Sequence, residues 1–146
     1  DAVRGDYMLS AVTRAASGHF GKQLAVCNER PTQNTPSEYL FIHLLNVEQT
    51  PDNGPFHNRF YFFDIRFHPD DKKKSQYHRF AEIAEELTEC LLYVDTADQP
   101  VKATSMRSEI QDGVLHFFVD YPVRVIAPVP TDPKMYELDI DEKLKE

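Results

Sequence analysis

At 146 residues, 41% of them hydrophobic and 27% charged, the chain is long enough for one domain with a real hydrophobic core. A net charge of −8 argues against gripping nucleic acid as a main task, because phosphate binding needs a clustered excess of Lys and Arg. No apolar run is long enough to cross a membrane, and two distant cysteines outside any CxxC pattern, Cys27 and Cys90, argue against a disulfide framework or a zinc site.

The opening, Asp1 to Asp6, has no signal-peptide character and no initiator Met, so the expectation is a missing or processed N-terminus on a soluble, cytoplasmically made protein. A helix is predicted from near Asp6, where Met8, Leu9, Val12, Ala15, Ala16 and Phe20 recur at helical spacing. Asp6 suits its start, and Gly18 and Gly21 mark where it frays and stops. A short strand, Gln23 to Cys27, follows, and the Pro- and Asn-rich segment from Asn28 to Ser37 reads as loop.

Tyr39 to Val47 is apolar on both alternating faces, the pattern of a central strand covered on both sides. The turn Thr50 to Pro55 leads into Arg59 to Phe67, and two aromatic-rich strands so joined read as a hairpin with a projecting tip. Beyond His68-Pro69-Asp70-Asp71 comes the strongest helix, with Tyr77, Phe80, Ala81, Ala84, Leu87, Thr88 and Leu91 as its apolar stripe. The run Lys72 to Lys74, directly preceded by two aspartates, reads as a solvated loop rather than a nucleic-acid patch. Cys90, on the predicted buried face, is expected to behave as a small hydrophobe.

After a break at Asp95 to Pro100, a second hairpin is predicted, Val101 to Gln111 followed by Val114 to Ile126. Asp112-Gly113 between two strands is a strong signal for a turn with positive φ at both central residues. In the last strand Leu115, Phe117, Val119, Tyr121, Val123 and Val125 alternate with His116, Asp120 and Arg124, so one face is core. The order helix, strand, hairpin, helix, hairpin predicts an α+β domain over residues 1–127, a mostly antiparallel sheet with two helices packed on it. Residues 128–146, Pro-rich and then acidic, read either as a frayed tail or as an extended C-terminal arm that docks on a neighbouring subunit.

No Gly-rich phosphate loop, GxSxG, HExxH or EF-hand pattern is present, and the chain is expected not to be an enzyme and to need no cofactor. Six histidines (His19, His43, His57, His68, His78 and His116) raise a metal reading, with His68, Asp70, Asp71 and His78 as the imaginable carboxylate–imidazole set. The plainer reading is a polar loop at a helix start, with Asp favoured there by the helix dipole. Asp64, set in an aromatic strand, needs a partner if buried; Arg66, Arg107 and Arg124 are the candidates, and a structural ion pair is the preferred role. Arg107 and Glu109 fall on one strand face, Met106 and Ile110 on the other.

Three stretches in this order, Phe41 to Gln49, Arg59 to Pro69 and above all Met106 to Tyr121, with its MRSEIQDGVLHFFVDY run, resemble the phage tail terminator proteins of Gram-positive myophages and related defective prophages. The resemblance spans Tyr39 to Val125. It implies a virion structural protein, assembled in the host bacterial cytoplasm. In such a role a ring, expected to be hexameric, caps the tail tube, stops its polymerisation and meets the neck connector and, in contractile tails, the last sheath ring. DNA would cross its lumen without specific binding, and no membrane is involved. Strand alternation and otherwise wasted apolar surface nominate Arg107, Glu109 and His116 on the second hairpin, and Tyr136, Leu138 and Ile140 on the arm, as subunit contacts. Rival readings are a neck or head-completion protein of the same particle, a small metal-dependent hydrolase, and a monomeric binding module.

Overall fold

The computed structural model describes residues 5–70 and 76–128. Asp71, the Lys72 to Lys74 run and the arm residues Tyr136, Leu138 and Ile140 lie outside the described residues. Among the described residues two helices, α1 (Gly5–Phe20) and α2 (Gln76–Cys90), accompany seven strands: β1 (Ala25–Cys27), β2 (Tyr39–Pro51), β3 (Phe56–His68), β4 (Tyr93–Asp95), β5 (Pro100–Lys102), β6 (Ser105–Gln111) and β7 (Val114–Ile126). Five form one sheet in the order β1-β2-β3-β7-β6, antiparallel except for the β1–β2 pair, and β4-β5 form a separate two-stranded ribbon. This is the α+β single domain expected from the sequence.

Cross-strand layers build the core. Leu40, Phe67 and Leu115 lie side by side, then Ile42, Ile65 and Phe117, then Leu44, Phe63 and Val119, then Tyr61 and Tyr121, with the exposed Val47 at the margin of this last layer. Against them pack Met8, Ala11, Val12, Ala16 and Phe20 of α1 and Phe80, Ile83 and Leu87 of α2. Both helices therefore seal the same face. The α1 helix runs through Gly18 and ends at Phe20, and Gly21, at φ 58°, takes the left-handed turn that closes it while its N–H donates to the Ser17 carbonyl. At the other end of the layer, the Tyr121 hydroxyl donates to the Leu91 carbonyl at 2.6 Å, pinning the chain just after α2 to β7.

Four local expectations change. The buried stripe of α2 keeps Phe80, Leu87 and Leu91 of the expected one and adds Ile83, whereas Tyr77, Ala81 and Thr88 are exposed. Tyr77 is 78% exposed, because the 3-4-4 spacing that starts from Phe80 aims at the sheet and Tyr77 stands off that line. The stretch Val101 to Gln111 is not one strand: Ala103 donates to the Leu92 carbonyl and breaks the run into β5 and β6. The strand expected from Gln23 starts at Ala25. Finally, β2 is covered on one face only. Leu40 and Ile42 are buried, whereas Leu45 is 47% exposed and the residues from Asn46 on are exposed. The two described helices, of 16 and 15 residues, both lie on one side, and among the described residues no helix covers the other.

An irregularity between Leu44 and Asn46 shifts the β2–β3 register by one residue, so even-numbered β2 side chains change faces there. Beyond it the sheet outruns the helices. Thirteen-residue strands extend about 43 Å, and the 16-residue α1 about 24 Å. The overhang, residues 46–51, 56–60 and 122–126, ends in a turn with Gly54 at φ 56°, closed by Asp52 N–H to the Phe56 carbonyl and Phe56 N–H to the Asn53 carbonyl.

Candidate interaction surface

The sheet face without helices carries Tyr39, Phe41 and His43 from β2, Phe60, Phe62, Asp64 and Arg66 from β3, His116, Phe118 and Asp120 from β7, and Arg107 and Glu109 from β6. Strand alternation dictates this set, since each is one residue out of step with the core layers. The rings lie over one another instead of standing out. Tyr39 stacks on His68 at 4.6 Å between centroids, Phe41 on His43 at 5.9 Å, and His116 on Phe118 at 6.1 Å. The Arg107 guanidinium sits 4.4 Å above the Phe118 ring. Between Leu45, Phe62, Phe118, Arg107 and Asp120 runs an open groove of about 290 Å³.

At the middle of this face Asp64 is only 3% exposed. His43 and Phe118 flank it directly on the two neighbouring strands. Its Oδ2 accepts a hydrogen bond from Arg66 Nε at 2.9 Å, and His116 Nδ1 lies 3.0 and 3.1 Å from its two oxygens. A carboxylate taken out of water needs such partners, and with its proton on Nδ1 the imidazole supplies a donor while turning Nε2 away from Asp64. Of the three arginines nominated for Asp64, the structure selects Arg66. Arg107 pairs with Glu109 at 3.1 Å and Arg124 with Asp52 at 3.4 Å.

Among the nominated contact residues, Arg107 and Glu109 stand in the open on β6, with 62% and 38% of their side chains exposed. His116 is drawn inward to Asp64 and only its outer edge is accessible. The three on the arm fall beyond the described residues. Reading for charge pairs alone passed over the aromatic set around them. Its signal was present in the two helices that the periodicity predicts, enough for one face of a sheet.

Asp71 lies outside the described residues, and the described residues of the metal-site reading form no ligand set. His68 stacks on Tyr39, with its pKa lowered by burial and by the nearby Arg66 and His116 charges, and His78 points to solvent. Among the described residues no three His, Cys, Asp or Glu side chains form a metal-ligand set. Both cysteines are free thiols. Burial raises the pKa of Cys27, and pushes that of Cys90 up to about 12, so neither is an activated nucleophile. No described helix is long and apolar enough to cross a membrane. The arrangement is a flat, half-apolar face studded with paired charges, chemically suited to docking a protein surface.

The sequence profile of a family described as "Phage tail terminator protein" matches residues 8–133. That span takes in α1 and runs past β7, wider than the stretch from Tyr39 to Val125 whose residues carry the resemblance. No curated protein matches. One solved structure is similar at 13% identity, over 88% of this chain and 99% of its own, with a TM-score of 0.40. That likeness is too distant to support an inference.

Proposed function

Because this chain belongs to the phage tail terminator protein family, and so has a structural role in a tail, we propose that its copies close into a ring at the end of the tail tube. The ring, six-membered in this reading, stops tube polymerisation and offers its other side to the neck connector and to a sheath where there is one. The observation that carries this is the family match over residues 8–133. Two structural features support it: the helix-free aromatic face around Asp64, and the outer strand β6, hydrogen-bonded on one side only among the described residues. A heterologous ring needs two different patches on each subunit, and the face and the edge are two such patches. Residues 1–127 act as the ring-forming domain and 128–146 as an arm between subunits. DNA passes the lumen without being held, in keeping with the net charge of −8. No step of this role asks for catalysis.

The test is the mass of the purified protein by light scattering or native mass spectrometry, with and without tail tubes. A closed ring, alone or only on tube ends, is the expected result. A monomer that ignores tubes would overturn the proposal. A species that binds the portal side of the neck and not the tube would instead make it a neck protein of the same particle.

A further inference from the structure

The outer edge of β6 is an unfinished piece of sheet, and its two faces differ. Met106, Ser108 and Ile110 continue the core layers, with Ile110 44% exposed, while Arg107 and Glu109 lie on the aromatic face. Its backbone groups on the outer side have no strand beside them among the described residues. Such an edge invites another strand, and the alternating side chains select which one.

The chain contains a matching strand. After Pro133 no proline or glycine occurs, and Tyr136-Glu137-Leu138-Asp139-Ile140-Asp141 alternates strictly between apolar and acidic. Laid beside β6 with Leu138 next to Ile110, such a segment turns Tyr136, Leu138 and Ile140 to the side of Met106 and Ile110, and turns Glu137 and Asp139 to the side that holds Arg107 and Glu109. A slip of one residue would put carboxylates against Met106 and Ile110, so the face that each side chain takes is specified.

The segment's own β6 is poorly placed to receive it. The chain leaves β7 on the far side, where Ala127 donates to the Pro55 carbonyl of the β2–β3 turn, away from β6. Asp120 faces Ser105, and the six further residues of β7 carry the chain about 20 Å beyond β6. Residues 129–135, fully stretched, cover about 24 Å at most, so the chain would have to double back almost straight to meet even the near end of its own β6. A neighbouring copy does not face that constraint.

We propose that residues 136–141 of one copy add as a strand to the outer edge of β6 of the next. This rests on the self-assembling reading above and names the contact that carries it. The test mixes two full-length single variants, Ile110→Cys and Leu138→Cys, under mild oxidation. Expected are covalent dimers from the mixture, and self-association weakened about tenfold or more in an otherwise unaltered chain carrying Leu138→Lys and Ile140→Lys. Arg107→Glu should weaken it too, and the added changes Glu137→Lys and Asp139→Lys should restore it. Rings that persist with Leu138→Lys and Ile140→Lys would overturn the strand contact and leave the ring intact. Cross-linking of Ile110→Cys to itself would mean that β6 pairs with β6. A disulfide found only within one chain, in the double cysteine variant, would mean that the arm folds back on its own β6. A parent protein monomeric with and without tubes would remove both this contact and the ring.

Discussion

His116 Nδ1 lies 3.0 Å from the Asp64 carboxylate, across two neighbouring strands and on the face of the sheet that no described helix covers. Arg66, directly opposite His116 in the β3–β7 register, donates to the same Oδ2, so the carboxylate has two partners and scarcely meets water. Asp64→Asn keeps the shape and removes the charge that both partners address. Arg66 is one-third exposed, so solvent compensates it in part, and the expected loss is about 2 kcal/mol in urea unfolding. A loss below about 0.5 kcal/mol would place the cluster among interactions that contribute little to the fold.

The buried Tyr121 hydroxyl is the link between β7 and the end of α2. Tyr121→Phe leaves the Leu91 carbonyl without that donor, and about 1–2 kcal/mol of stability should go with it. Amide exchange in the last turn of α2 should quicken more than exchange in α1. Equal quickening in both helices would argue that the bond is not a local anchor.

Two glycines should answer to alanine with opposite signs. Gly113 sits at φ 75° in the β6–β7 turn, beside Asp112 at φ 51°, and Gly113→Ala should lose about 1–2 kcal/mol. Gly18 lies within α1, where an added Cβ meets nothing within 4 Å, and Gly18→Ala should gain about 0.5–1 kcal/mol. Thermal melts of the two variants decide this, and matching shifts would contradict the backbone argument.

His68 has its pKa lowered by burial, then by Arg66 and His116. The fold therefore prefers its neutral ring, and the unfolded chain binds the proton more readily. Its contribution is fully present above the unfolded value of 6.5 and is lost as pH falls through the lower folded value. Unfolding midpoints should drop below about pH 6.5, and His68→Gln should flatten that part of the profile. An unchanged profile in the variant would assign the acid sensitivity to other groups.

Element types and their order were legible because each carried a local signal. Helical spacing announced α1, and Asp112-Gly113 announced the β6–β7 turn, which takes positive φ at both residues. What alternation could not say is which side of a strand meets helices. Phe41 and Leu40 look alike in sequence, yet Leu40 is sealed and Phe41 is not, because that outcome depends on where α1 and α2 come to rest. The β4–β5 ribbon escaped notice because three-residue strands carry no period. At the surface, Arg107 and Glu109 were found by alternation, whereas the Asp64–His116 pairing depends on the β3–β7 register, a non-local quantity.

The overhanging end of the sheet has a mechanical consequence. From Phe56 opposite Ile126 to Phe67 opposite Leu115, the β3–β7 pairing runs without a skipped residue, so the free end is rooted directly in the layer that carries the core. It is a cantilever. A push on its tip at Asn53 and Gly54 is not absorbed at a hinge but travels down the strand as a bending moment toward Asp64 and the helices behind it. Whatever rests on that tip in an assembled tail therefore rests on the whole domain.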